Sequence, residues 1–264
     1  MLSGCHGLLL DVDGVLHVGW RAVPGATEAL AALDAAGVPY RLLTNTTTAS
    51  QATLGARLRA AGLPVRDGDL LTAPVATAAY LRRRLPDGRC FLLAKGDVAA
   101  DFRAAGIEVV DVDDPDATAE AVVVGGAEEA FTYARLNRAF TLLLGGARLV
   151  AMHRNRAWRV AEGMALDGGP FVRALEEAAG VRAVTIGKPA AAFFRQGLHA
   201  LGVPAADAVM VGDDARNDLL PARRLGLRTV LVRTGKPVGP AEEATADLAL
   251  PSVAGLPAAL GLPE

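Results

Sequence analysis

Cysteine is scarce in this chain. Cys5 and Cys90 are the only two among 264 residues. They lack the spacing of a metal site, and with no leader-like segment the sequence is expected to work in a reducing, cytoplasmic setting. Charge of one sign is not in excess either. The net charge is −2, which removes the electrostatic case for nucleic acid or an anionic membrane as a partner. Any anion bound here has to be met by local positive charge. No apolar run reaches the roughly 18 residues of a membrane span. Internal repeats and low-complexity linkers are missing. So is a dinucleotide fingerprint, because Gly125-Gly126 has no third glycine in place. What remains is 52% hydrophobic and 21% charged, enough to fill a core and too apolar for disorder. The length suits one large domain or two small ones.

Within that chain the stretch Leu8-Leu9-Leu10-Asp11-Val12-Asp13-Gly14 organises the rest. A short apolar run bounded by turn chemistry reads as a buried strand of a parallel sheet. Its two carboxylates then sit at the carboxyl end, where open α/β sheets place their ligand crevice. Residues two apart on an extended backbone share a face, so Asp11 and Asp13 can aim at one point. Carboxylates that close repel unless a cation or a proton lies between them.

The same grammar recurs. A helix is expected over Ala26–Ala36, closed by Gly37, and a strand over Pro39–Leu43 runs into Thr44-Asn45-Thr46-Thr47-Thr48. That cluster, followed by a helix over Ser50–Ala61, offers hydroxyls, an amide and free helix N–H groups to an oxyanion, although taken alone it is more simply an ordinary Thr/Ser cap. Strands are expected at Phe91–Ala94, Glu108–Asp111, Val122–Val124 and Leu149–Met152, with a long helix over Ala127–Leu144. Val184-Thr185-Ile186-Gly187 ends in Lys188, and Pro189 opens the next helix. Val209-Met210-Val211-Gly212 ends in Asp213 and Asp214, with Asp218 five residues past Asp213. Those acids could simply decorate a helix N-terminus. Further strands are expected at Thr229–Val232 and Leu248–Leu250.

Asn45 and Lys188 lie much farther apart than the roughly dozen residues of a βαβ crossover, and the intervening stretch has strands and helices of its own. An inserted α/β domain is therefore expected at about residues 86–181, leaving 1–85 and 182–264 as the core. The expected fold class is α/β, a Rossmann-like, doubly wound parallel sheet carrying that insertion. Four core strands then end in chemistry suited to phosphoryl transfer. One carboxylate can attack phosphorus and a second can move the leaving-group proton. A threonine hydroxyl and backbone amides can hold oxygens, a lysine can neutralise charge, and the distant acids can hold Mg²⁺.

The set DVDGVL, LLTNTTT, IGKP and VGDDARND resembles the haloacid-dehalogenase-like hydrolases. An insert after the second motif and before the lysine resembles their class IIA branch of NagD-type and pyridoxal phosphatases. Residues Ala121 through Lys188 and the tail Val230–Lys236 are most similar to the phospholysine phosphohistidine inorganic pyrophosphate phosphatase group. The resemblance implies Asp11 as nucleophile and Asp13 as general acid/base. It implies a Mg²⁺ held by Asp11, the backbone carbonyl of Asp13, and Asp213. Thr44 and Asn45 would contact the phosphoryl group, and Lys188 would brace it and the nucleophile. Asp214 and Asp218 would act from behind these groups, Asp218 by orienting metal-bound water or Lys188. The insert would be a cap and a possible homodimer contact.

The implied partner is a small phosphorylated metabolite or pyrophosphate, hydrolysed as an ester, phosphoamidate or anhydride. A phosphomutase on the same fold and a catalytically weak phosphate-binding regulatory protein stay open as alternatives. A dehalogenase would not need Asp13. In the insert, the expected loop His153-Arg154-Asn155-Arg156-Ala157-Trp158-Arg159 offers His153, a flat face on Trp158, and charge on Arg154 and Arg159 for a leaving group. Solvation of the loop, or packing of Trp158 in the insert's core or at a dimer contact, explains the same residues.

Overall fold

The computed structural model describes Leu2, residues 4–160 and residues 163–262, with the backbone alone at 159 and 160. The described chain divides into two compact units. The first comprises Met1–Thr44, Leu54–Leu71 and Lys188–Glu264, and the second comprises Asn45–Thr53 and Thr72–Gly187.

The first unit is built on a six-stranded sheet. Across it the order is Leu248–Leu250, Arg228–Val232, Ala208–Gly212, Gly7–Asp11, Tyr40–Thr44, Leu70–Thr72. The first five pair in parallel. Every residue of Gly7–Asp11 and of Ala208–Gly212 is buried, as expected of strands covered on both faces. From Gly7–Asp11 the chain first moves one way to Tyr40–Thr44 and much later returns on the other side to Ala208–Gly212. The order therefore reverses at Gly7–Asp11, the topological position at which such sheets bind ligands. Helix Ala191–Leu201 packs on Gly7–Asp11 and Tyr40–Thr44. Gly197 makes that approach possible, since a Cβ there would lie 2.9 Å from Leu9 Cδ2.

The second unit has its own five-stranded parallel sheet, in the order Val184–Thr185, Arg148–Ala151, Ala121–Val124, Arg89–Leu93, Glu108–Val109. Helix Ala73–Arg84 and strand Val184–Thr185, assigned to the core from sequence, group with this unit. The helix packs on helix Ala99–Ala104, and the strand extends the second sheet beside Arg148–Ala151. Helix Gln51–Ala60 straddles the division. Asp97 accepts from Ser50 N and Oγ at 2.7 Å and from Thr53 Oγ1 at 2.6 Å, and Asp101 accepts from Gln51 N at 3.1 Å. Those acids satisfy the open N–H groups of its first turn.

Three local features differ from expectation. The helix expected from Ala127 begins at Tyr133, because Thr132 caps it by accepting from Arg135 N at 3.3 Å. Ahead of it Glu128–Ala130 forms a 3₁₀ turn entered through Glu128 at φ 45°. Second, His17–Val18 and Arg21–Ala22 pair as a hairpin across Gly19-Trp20, both with positive φ, the geometry of a type I′ turn. Third, the expected loop 153–159 ends in a strand. Ala157–Val160 pairs antiparallel with Gly163–Leu166. Met164 and Leu166 are exposed, so the hairpin lacks the buried alternation by which a strand is read. Among the described residues no helix is long and apolar enough to cross a membrane.

Core burial sets the main energetic term. Phe193, wholly buried in helix Ala191–Leu201, should on truncation to Ala lower the unfolding free energy by about 3–5 kcal/mol. Urea denaturation of the two proteins checks this.

Candidate active site

Asp11 is the last residue of its strand and Asp13 lies just beyond. Asp11 Oδ1 accepts from Val12 N at 2.7 Å. On the neighbouring strand Thr44 is likewise the last residue, and its hydroxyl donates to Asp13 Oδ2 at 3.1 Å. The Asp13 side chain is 57% exposed, whereas Asp11 is buried. Of this pair, one carboxylate is sheltered and the other stays within reach of solvent protons.

Lys188 Nζ lies 2.6 Å from Asp11 Oδ1 and 2.8 Å from Asp218 Oδ1. All three side chains are nearly fully buried. Asp11, Asp213 and Asp218 each bring a carboxylate oxygen within 4.8 Å of the others. Burial, then the charges of Asp213 and Asp13, push Asp11 up to about 6 against the pull of Lys188. Burial and Asp218 push Asp213 up to about 6, and burial and Asp11 push Asp218 up to about 8. Burial opposes the charge on Lys188, but Asp11 and Asp218 outweigh it and hold the ammonium above its ordinary range. With all three carboxylates ionised, one ammonium would leave two charges uncovered, which is the charge of a divalent cation. Asp218 Oδ1, despite its ion pair, has no donor at hydrogen-bonding geometry. A set made only of oxygens suits a hard divalent cation rather than a soft metal.

Asp214 and Asp218 have separate tasks. Asp214 caps the turn Ala215–Leu219, with Oδ1 accepting from Arg216 N at 2.9 Å and Asn217 N at 3.0 Å. It is also paired with the Lys236 ammonium. Burial works against its charge, yet Lys236 and the turn's N–H groups hold it below the usual carboxylate range. Asp218 instead faces Lys188. Asn45 falls in the second unit, where its Oδ1 lies close against Gly187.

The insert residues singled out from sequence are mostly engaged. His153 is 2% exposed, with Nδ1 accepting from Asn155 N at 3.2 Å. That bond puts the ring proton on Nε2, which lies 3.1 Å from Thr47 Oγ1 and can donate to it. Burial lowers its pKa, so it is a neutral packing group. Arg154 makes a two-point pair with Glu176 at 2.9 and 2.6 Å, and its charge is neutralised there. Trp158 is 40% exposed with Lys95 Nζ 5.8 Å from its ring centre. Arg159 contributes backbone to the hairpin, and its side chain lies outside the described residues. Neither cysteine thiol is activated, since burial raises both pKa values.

Two features at the carboxyl end of the first sheet are given no role in the site by the sequence reading. His17, 4% exposed, stacks on Trp20 at 4.9 Å and has Nε2 3.4 Å from Asp13 Oδ1. Thr234-Gly235-Lys236 follows strand Arg228–Val232 and touches both acid-bearing loops. The available signal was a fifth apolar strand ending in polar residues.

Comparison with known proteins agrees with this geometry. The haloacid dehalogenase-like hydrolase family model matches residues 8–108, and a second, HAD-hydrolase-like model matches residues 185–256. Human haloacid dehalogenase-like hydrolase domain-containing protein 2 is 40% identical over 238 residues, 89% of this chain and 88% of that protein. The chain belongs to the haloacid dehalogenase-like hydrolases. Bovine phospholysine phosphohistidine inorganic pyrophosphate phosphatase is 37% identical over 241 residues, 89% of this chain and 85% of that protein. Among solved structures, the p-nitrophenyl phosphatase from Archaeoglobus fulgidus aligns with a TM-score of 0.88 at 28% identity, covering 97% of this chain and 99% of its own. NagD from E. coli K-12 aligns at 0.83 and 28%, covering 95% and 97%. The two stretches matched by the family models carry Asp11, Asp13, Thr44, Lys188, Asp213 and Asp218.

The Arg154–Glu176 pair has a pH signature. Hydrogen bonds from Arg154, and from Ala183 N, hold Glu176 down to about 2. A depressed carboxylate stabilises the fold above its unfolded value of roughly 4.3, and that contribution disappears as pH falls through the folded value. Glu176→Gln should therefore cost on the order of 2 kcal/mol at neutral pH, a gap that narrows between roughly pH 5 and pH 2. Urea midpoints across that range check it.

Proposed function

We propose that this chain is a Mg²⁺-dependent phosphatase that forms a phosphoryl-aspartate on Asp11 and hydrolyses it. The observation that carries the reading is Asp11 itself. It is a buried strand-end carboxylate, 2.6 Å from the Lys188 ammonium, with a more exposed second acid two residues on. Asp11 attacks phosphorus as the bond to the leaving oxygen breaks, and Asp13 delivers a proton to that oxygen. Water then attacks the phosphoryl-aspartate, Asp13 takes the proton from it, and phosphate leaves with Asp11 restored. The Thr44 hydroxyl, 3.1 Å from Asp13 Oδ2, orients the acid for both transfers. Lys188 offsets charge at Asp11 and on the transferring oxygens. Asn45 is assigned to the phosphoryl oxygens on the strength of its motif.

Asp11, Asp213 and the backbone carbonyl of Asp13 would hold Mg²⁺, with Asp218 close by as a further oxygen donor. When bound, the ion would neutralise negative charge on the phosphoryl group. The substrate class is a phosphate monoester, a phosphoamidate or pyrophosphate, supported by the names of the phosphatase relatives. The groups on the first unit recognise a phosphoryl group and nothing beyond it. We therefore assign leaving-group selection to the second unit, with Trp158 the exposed candidate.

Two outcomes test the reading. Asp11→Asn should lower kcat/KM for p-nitrophenyl phosphate by about a thousandfold, equivalent to about 4 kcal/mol, while the circular dichroism spectrum stays native. Residual activity within about tenfold of the native protein would remove Asp11 as nucleophile. Exhaustive EDTA treatment should abolish phosphate release and Mg²⁺ should restore it. Full activity after chelation would rule out a metal-dependent route.

A further inference from the structure

We propose that Thr234, Gly235 and Lys236 are positioning residues that lock the acid-bearing loops into a cation-binding arrangement. The inference rests on the phosphatase reading and extends it to a loop to which that reading gave no role. Strands Gly7–Asp11, Ala208–Gly212 and Arg228–Val232 lie side by side in the sheet. Their carboxyl ends therefore present three loops in a row: Val12–Gly14, Asp213–Asp214 and Arg233–Lys236.

The third loop fastens both others. Thr234 Oγ1 donates to Gly14 O at 2.5 Å, which fixes the backbone just beyond Asp13. Lys236 N donates to Asp213 Oδ2 at 2.9 Å. That bond fixes the orientation of the Asp213 carboxylate, one oxygen of which lies within 4.8 Å of oxygens of Asp11 and Asp218. The Lys236 ammonium pairs with Asp214, which in turn accepts three hydrogen bonds from Arg216 and Asn217. The charge of Asp214 is thus satisfied within the loop and does not compete for the metal. Between these bonds the backbones touch. A Cβ on Gly235 would collide with the Asp213 carboxylate and would lie 2.8 Å from Gly14 Cα. Gly14, at φ 80°, is in the left-handed region, and a Cβ there would strike the same carboxylate. Two glycines and one carboxylate interlock with no room to spare.

Groups of this kind, one bond removed from the metal, set ligand orientation, and losing them weakens metal affinity by about 10–100-fold. Three variants and the native protein are compared in metal-free buffer. Mn²⁺ binding is read by electron paramagnetic resonance of the free ion, alongside the rise in Tm that Mg²⁺ produces. Thr234→Val keeps the side-chain shape and removes the donor; Gly235→Ala inserts the colliding Cβ. Both should weaken Mn²⁺ binding by about tenfold or more and shrink the Mg²⁺-induced Tm shift, and Thr234→Val should keep a Tm close to native without metal. Arg233→Ala, which loses only its surface pair with Glu243, should bind Mn²⁺ as the native chain does. With p-nitrophenyl phosphate, Thr234→Val should need about tenfold more Mg²⁺ for half-maximal rate yet recover kcat to within about threefold at saturation. If both loop variants bind Mn²⁺ within about twofold of native, or if Thr234→Val loses kcat that saturating Mg²⁺ does not restore, the locking role is wrong while the phosphatase reading stands. A native protein that neither binds Mn²⁺ nor releases phosphate overturns both.

Discussion

Everything at the first sheet's edge follows from burying several carboxylates around one ammonium. Asp11, Asp213 and Asp218 present oxygens within 4.8 Å of one another, and Lys188 reaches two of the three. At such separations each like-charge pair repels by about 3–4 kcal/mol for an effective dielectric near 20. One lysine still leaves the ionised cluster with net negative charge, so the acids are held as a demand for further positive charge. The same crowding makes Lys188 a poor candidate for an acid. Its proton is retained by the carboxylates it serves, and it acts through charge and position.

The two units use one architecture toward different ends. Both have parallel sheets whose carboxyl ends carry polar residues. At the first, those residues are ionised or ionisable. Beyond the second sheet's strands, the Gly125-Gly126 backbone and a neutral His153 meet Thr47, with Gly126 N donating to Thr47 Oγ1 at 2.8 Å. That network has little charge and few loose ends.

Much of this was legible from residues alone, because strand ends in parallel sheets couple local pattern to global position. Three leucines before Asp11, and Val209-Met210-Val211 before Gly212-Asp213, state both strand and site together. Lys188 was legible for its place beyond a short apolar strand, although that strand pairs in the second sheet. Other features depend on contacts that no local pattern encodes. Asp214 and Asp218 look alike in sequence, and only the turn between them separates a cap from a lysine partner. Arg154 reads as a free cation until Glu176, 22 residues on, is seen to hold it. The hairpin Ala157–Val160 with Gly163–Leu166 escaped because Trp158, Met164 and Leu166 face solvent, and burial is what strand periodicity reports.

Helix Gln51–Ala60 deserves a reading in terms of inheritance. Its opening residues group with the second unit and its body, from Leu54, with the first, while Asp97 and Asp101 close its N-terminus. A module that could be exchanged freely would be joined by bare linkers. Here Asp97 and Asp101 close onto Ser50, Gln51 and Thr53, which group with the same unit, so residues 72–187 alone leave out a stretch that this unit includes. Recombination that brings in a foreign insert must bring acids at these two positions or carry residues 45–53 along with it. Asp97 and Asp101 should therefore vary with Ser50, Gln51 and Thr53 rather than with the rest of the insert.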